Sequence, residues 1–522
     1  MFARVQGAAL VGVEAVVVGV EVDLGPGIQS FQIVGLPDGA VREARVRVKS
    51  AMENSGHNWP QCRVSLNLAP ADLRKDGTAF DLPIALALMA ATGDLGGDGH
   101  ARAGSFMAAG ELSLDGEVRP VRGVLSMALA ARDAGHAGIL VAAEDATEAS
   151  LVPGLRVVPC AHLSDAVAFL RGGGSEVPRR AGAGHEREDP GYPFDMADVS
   201  GQEHAKRALE VSAAGGHNVL LVGPPGSGKT MLSKRVVTIL PEMSFEESLE
   251  ATRVHSVAGL NRGRGLVRER PFRAPHHTIS DVGLVGGGAG IPRPGEISLA
   301  HNGVLFLDEL PEFRRHVLEV MRQPLEDGEV TLTRSQVTVH YPAKVMLVAS
   351  MNPCPCGHLG DPKRSCVDSP HQVQQYRSRI SGPLMDRIDV HVEVPAVRYE
   401  ELRRAGRAES SADIRARVDT ARAIQRKRFE GSGIHCNAQM SPRQLRACCP
   451  LDAAGHRLLE QAVDRLGMSA RAWDRILKVA RTIADLVGRE RIEVGDVAEA
   501  VGYRSMDRAG AGSGAPQLAS PI

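Results

Sequence analysis

The segment Gly223-Pro224-Pro225-Gly226-Ser227-Gly228-Lys229-Thr230 fits G-x-x-x-x-G-K-[ST] at every position. Cradling phosphates needs backbone N–H groups converging on one point at a helix N-terminus, and glycines permit that turn. In such a loop Lys229 reaches the β- and γ-phosphates of ATP, and Thr230 holds Mg²⁺. The motif is meaningful only between a strand and a helix. Here the apolar run Asn218 to Val222 precedes it and the helical run Met231 to Ile239 follows. The bland alternative is a glycine-rich turn, and the complete match in the right context sets it aside. A second apolar strand, Val304 to Leu307, ends in Asp308-Glu309. Asp308 is expected near Mg²⁺, and Glu309 is expected to orient or deprotonate the attacking water. An acidic strand end is common without such a role; the pairing with the phosphate loop favours the catalytic reading. A third strand, Lys344 to Ala349, leads into Ser350-Met351-Asn352-Pro353. Asn352 is the choice for a polar residue at the strand tip that helps position that water. The alternative is an Asn that opens a turn before Pro353.

At about 150 residues per domain, 522 residues suggest about three domains. Residues 1–171 alternate strand and helix signals. Val13 to Val22 is β-branched, and Ala40 to Met52 carries Val41, Ala44, Val48 and Met52 at helical spacing before Asn54-Ser55-Gly56. Arg63 to Leu68 alternates like a strand, Asp115-Gly116 reads as a hairpin turn, and Gly138 to Ala142 as a buried strand. Residues 172–190 are rich in Gly, Arg and Glu and read as a flexible linker. Residues 191–396 hold the motifs, 397–505 are helical in pattern, and 506–522 read as a disordered tail. The expected class is α/β.

A net charge of −1 excludes a global basic field, so any nucleic-acid surface must be local. Aromatic content of 3% argues against base stacking as the main binding device. The apolar stretch Ala8 to Val20 is interrupted by Glu14, and no run reaches membrane-spanning length. A cytoplasmic protein without a membrane partner is expected, and its eight cysteines are then reduced or metal-bound.

Three longer motifs, Arg270-Pro-Phe-Arg-Ala-Pro-His-His-Thr-Ile-Ser280, Gly295 to Phe313 (GEISLAHNGVLFLDELPEF) and Ser381 to Asp389 (SGPLMDRID), resemble the magnesium-chelatase-like AAA+ family called ComM or YifB. The likeness covers about Ala3 to Tyr503. It implies a P-loop AAA+ core with a C-terminal helical lid, ATP and Mg²⁺ as cofactors, and self-association into a hexameric ring. It also implies DNA as partner, with ATP-driven branch migration in recombination or natural transformation. In such proteins Asn352 takes the sensor-1 place. Arg387 aligns with the arginine finger that acts on a neighbouring subunit's γ-phosphate, with Arg379 as fallback. Ser469 to Arg475 resembles the sensor-2 helix, with Arg471 favoured over Arg475. The family also carries an insert in helix 2 and a hairpin before sensor 1. Residues 261–300 are expected to be the insert and Glu329 to Tyr341 the hairpin. Arg334, and the cluster Arg262, Arg264, Arg268, Arg270 and Arg273, are then phosphate-contact candidates. The plain alternative is a solvated basic loop.

Residues 70–170 resemble the proteolytic domain of Lon, an α+β fold of the ribosomal S5 type, without its catalytic pair. Ala79 stands at the serine position and Leu125 at the lysine position. A Ser–Lys dyad needs a hydroxyl and an amine. Thr78 offers a hydroxyl one place away but no base faces it, so the unit is expected to be non-proteolytic. Arg42, Arg45, Arg47 and Lys49 on one helix fit a solvated face or a DNA surface equally.

Cys354, Cys356 and Cys366 lie in one loop after Asn352. With His358, Asp368 or His371 they could complete a tetrahedral Zn²⁺ site; the other reading is reduced, unligated thiols. The leading function is an ATP-hydrolysing DNA motor. The rival is an AAA+ remodeller of a protein complex with no DNA substrate.

Overall fold

The computed structural model describes residues 1–173, 192–261, 263–288, 291–334, 337–361, 364–396, 408–466, 470–504 and 506. The expected linker from residue 174 onward, the tail beyond 506 and Arg262 lie outside them.

Four-residue runs such as Val219–Val222 and Val304–Leu307 are buried along their whole length. A strand that is apolar on both faces needs helices above and below it, and that is the requirement of a parallel sheet. The five-stranded sheet runs in the order Phe272–Arg273, Val304–Leu307, Met346–Met351, Val219–Val222, Val390–Glu393, and every pairing is parallel. The strand leading to Asn352 therefore lies between the other two motif strands. Its bounds are shifted two residues from the sequence expectation.

The edge strand Phe272–Arg273 changes the expected insert. Residues before it form an extra helix, Phe245–Ala258, and a loop that returns to the sheet. Also within the expected insert, the strands Gly286–Gly287 and Arg293–Pro294 pair as a short ribbon between the helices Asp281–Val285 and Glu296–Leu299. A two-residue strand is too short to show a period, so these strands could not be read from the sequence. The hairpin is present as expected, Glu329–Arg334 against Val337–Pro342.

The C-terminal helices Ser411–Arg428, Pro442–Cys448, Ala453–Leu466, Ala470–Leu486 and Val494–Gly502 share one core with the sheet. Arg428 clamps buried Asp485 at 2.6 and 2.7 Å, and buried Arg504 donates to the Ile388 carbonyl at 2.7 Å.

The first 171 residues build a mixed seven-stranded sheet, ordered Ser30–Val34, Arg63–Ala69, Glu14–Gly25, Phe2–Val11, Phe106–Ala109, Gly138–Ala142, Arg156–Cys160. The apolar stretch at the N-terminus proves to be two strands of an antiparallel hairpin, turned at Gly12 (φ +65°) and Val13. The helix Asp81–Thr92 is buried from Asp81 to Ala91, as expected of a helix apolar all round. This unit packs on the helix Phe245–Ala258. The Gly123 amide donates to the Ser256 carbonyl at 3.2 Å, Asn261 donates to Glu148 at 3.1 Å, and Arg253 to the Val13 carbonyl at 3.2 Å. No helix among the described residues is long and apolar enough to cross a membrane.

Candidate nucleotide-binding site

The three motifs meet at the carboxyl ends of adjacent parallel strands, the edge at which open α/β sheets bind ligands. The helix Lys229–Ile239 starts behind Gly228 (φ +91°), and no side chain caps it. Its first-turn N–H groups are therefore free to face an anion. The Ser227 hydroxyl is buried and has no hydrogen-bond partner among the described residues. At Gly223 a β-carbon would sit 2.1 Å from the Val394 carbonyl oxygen, so only glycine fits. Uncapped amides, an orphaned hydroxyl and a glycine-tight loop together fit a triphosphate.

Lys229 is nearly buried. Its ammonium donates to the Gly223 carbonyl at 2.7 Å, the Pro224 carbonyl at 2.8 Å and Asn352 Oδ1 at 3.3 Å. Burial pulls its pKa below the usual lysine value, and the Asp308 and Glu309 carboxylates pull it back. Thr230 Oγ1 donates to Asp308 Oδ2 at 2.7 Å. The Ser350 hydroxyl donates to the other oxygen of Asp308. One hydroxyl on each side fixes the carboxylate at the mouth of the loop. Glu309 adopts a left-handed conformation (φ +55°) as the strand turns into Leu310–Glu312. Such a conformation is uncommon for a non-glycine residue and clusters at functional sites. Its carboxylate stays exposed, 3.7 Å from His277 Nδ1.

Sequence reasoning missed Ser350, His277 and Gln202. Gln202 donates to the carbonyls of Ser227 (3.4 Å) and Pro395 (2.6 Å), tying the chain before the lid to the phosphate loop. Only the paired His276-His277 gave a sequence signal; the other two act through contacts between distant segments.

The remaining candidates lie elsewhere. Arg387 is buried at the amino end of the sheet, where the Asn218 side chain holds its carbonyl at 2.8 Å. Its guanidinium is paired with Glu326 and donates to the Pro383 carbonyl at 2.7 Å. Arg471 is exposed in the first turn of Ala470–Leu486 and lines the same cleft as Arg387 and Arg475. Arg475 is paired with buried Asp389. Arg379, the fallback, is at the carboxyl end and bonds Glu312 at 3.1 Å.

Two phosphate-contact candidates are engaged within the chain. Arg270 donates to Glu247 (3.1 Å), the Asn302 carbonyl (2.7 Å) and the Pro241 carbonyl (2.5 Å). Arg273 is bidentate to Glu296 at 2.5 and 2.7 Å. These bonds tie both side chains to carboxylates and carbonyls within the chain. Arg47 is engaged in the same way by its bidentate bond to Asp81 at 2.6 and 2.9 Å. Arg264, Arg268 and Arg334 are exposed. Of these only Arg334 stands at the hairpin end, beside Gly287 of the insert ribbon.

A phosphate loop, an acidic pair and a polar strand tip on three neighbouring strands of a parallel sheet, with a helical lid sharing its core, define a P-loop ATPase of the AAA+ class. The sequence matches the magnesium chelatase subunit ChlI family model over residues 195–402, a second ChlI model over 20–145 and the ChlI C-terminal model over 408–504. It is 44% identical to competence protein ComM of Haemophilus influenzae over 513 residues, 97% of this chain and 98% of the relative. It is 43% identical to YifB of Escherichia coli over 502 residues, 96% of each chain. A magnesium-chelatase subunit ChlI of Nicotiana tabacum is 23% identical over 343 residues, 60% of this chain and 73% of that one. The chain belongs to the ComM/YifB family of magnesium-chelatase-like AAA+ ATPases.

Proposed function

We propose that the protein is an ATP-driven ring motor that works on branched or single-stranded DNA. The observation that carries the ring is the division of charge along one sheet. Lys229, Thr230, Asp308, Glu309 and Asn352 gather at the carboxyl end. Arg387 and Arg471 line a cleft at the amino end. In a ring, an arginine at the amino end would complete the site of the next copy, as an arginine finger supplied in trans does. ATP with Mg²⁺ supplies the phosphoryl group. Lys229 would leave the Gly223 and Pro224 carbonyls to neutralise phosphate oxygens, and Thr230 and Asp308 would hold the metal. Glu309 would orient or take a proton from the attacking water, with Asn352 aligning it.

DNA as substrate is supported by exposed Arg334 at the hairpin end and by similarity to a competence protein. One observation favours the rival, a remodeller of protein complexes. Arg270 and Arg273, two of the five arginines of that cluster, are committed to carboxylates of their own chain. The N-terminal unit is read as a non-peptidase brace of the Lon-like type. Leu125 is fully buried at the position of the Lon lysine, and Thr78 is hydrogen-bonded to Glu111.

The test is the ATPase rate with and without forked or four-way-junction DNA at two salt concentrations, with Lys229→Ala as control. Junction stimulation that weakens with salt and vanishes in the control supports the motor. A robust ATPase indifferent to every DNA sinks the DNA reading and leaves the remodeller.

A further inference from the structure

The loop that follows Asn352 carries a second cluster with no part in the nucleotide chemistry above. Cys354, in the loop just beyond the strand Met346–Met351, is fully buried. Its sulfur lies 3.4 Å from that of Cys356 and 3.6 Å from that of Cys366, and those two are 3.5 Å apart. Asp368 Oδ2 is 3.7 Å from Cys366 Sγ, and the Cys356 amide, donating at 2.8 Å, fixes that carboxylate in place. The Leu359 amide donates to Cys354 Sγ at 3.3 Å, as it would to a thiolate. The four ligand atoms lie within 4.8 Å of one another. Ligands about 2.0–2.3 Å from one tetrahedral ion stand about 3.5–3.8 Å apart, close to the observed edges. A disulfide would consume two sulfurs and strand the third. His358 is turned to Asp361 at 3.4 Å, and His371 lies outside the cluster.

We infer that Cys354, Cys356, Cys366 and Asp368 bind one Zn²⁺, in a closed three-thiolate, one-carboxylate site that staples this loop to the phosphate loop. The loop's seat is Gly357 (φ +82°), where a β-carbon would lie 2.6 Å from Pro225 Cδ. Arg377 anchors the Pro353 carbonyl from the other side at 3.2 Å. Asn352 and the phosphate loop are thus neighbours of a metal-fixed turn. The closed set leaves no open position for water, so the ion is structural. The metal assignment stands on the cluster alone. Its bearing on Asn352 rests on the nucleotide reading.

The experiment is metal analysis of the full chain purified under reductant without added chelator. About one zinc per chain is expected, together with intense sulfur-to-metal charge-transfer absorption when cobalt(II) replaces it. Cys366→Ser should lower zinc affinity by about tenfold or more. Asp368→Cys should keep the metal and shift the cobalt spectrum towards four-thiolate coordination. His371→Ala should change neither. The proposal is overturned if the folded wild-type chain, titrated with zinc or cobalt(II), takes up no metal and keeps its loop thiols reactive. It is also overturned if Asp368→Cys leaves the cobalt spectrum unchanged. Asp368→Cys keeps the test decisive should Cys366→Ser fail to fold.

Discussion

The two ends of the five-stranded sheet treat charge in opposite ways. At the carboxyl end the carboxylates of Asp308 and Glu309 face the mouth of the phosphate loop, and their neighbours are hydroxyls, amides, one lysine and the His277 ring. At the amino end Asp389 is sealed against Arg475 and His217, and Glu326 is paired with Arg387. The open end has charge to offer a ligand. The closed end uses charge to join the lid to the sheet and to store an arginine. A buried ion pair contributes little net stability over an apolar pair, yet losing one partner is costly. The closed end should therefore fail in stability and the open end in chemistry.

Removing the open end's cation should give the largest effect. Lys229→Ala is expected to lower the ATPase rate by at least about a hundredfold while the melting temperature without nucleotide stays near wild type. Glu309→Gln should lose about 10²–10⁴ in rate and still bind ATP, which a filter-binding assay separates from Lys229→Ala. An equal loss of stability in either variant would break the contrast between the two ends. Arg387→Ala tests whether the stored arginine is also functional. A loss of about 10³ in rate is expected, with inactive Lys229→Ala subunits restoring part of the activity when mixed in. No rescue on mixing would place its role within its own chain.

Arg475→Met strands a buried carboxylate and should cost about 3–5 kcal/mol in denaturant unfolding. Burial pushes the Asp389 carboxyl up, but Arg475 and then His217 outweigh it and hold the group well below the usual carboxylate range. A lowered carboxyl pKa contributes stability above the unfolded value, near 3.9, and loses it as pH falls further. The wild type should therefore unfold in acid more steeply below about pH 4 than Asp389→Asn. The smallest effect is expected at the hairpin. Arg334→Ala should reduce the salt slope of DNA binding by about one and leave the DNA-free ATPase rate unchanged.

The parallel sheet was legible because its strands are continuous apolar runs ending in residues with definite chemistry. The helix Gly39–Asn54 could be read because Val41, Ala44 and Val48 fall on one face and all are buried. Its charged face could not be read: Arg47 looks like any exposed cation until Asp81, 34 residues later, is folded against it. The same holds for Arg270 and Arg273, whose partners Glu247 and Glu296 each lie 23 residues away. Ion pairs across such distances leave no periodic trace, whereas a phosphate loop is local and carries its whole geometry in eight residues. Of the three proposed fourth ligands in the cysteine loop, spacing could not choose. The backbone amide that positions Asp368 could.

The turn at Gly12 bears on how force would travel. A β-carbon there would lie 3.0 Å from the His340 carbonyl oxygen, on the return strand of the hairpin. The neighbouring Val13 carbonyl accepts from Arg253 and from Ser126. The root of the hairpin thus sits against the turn that joins two central strands of a seven-stranded sheet. Any displacement of the hairpin at its root would therefore have to carry the N-terminal sheet with it.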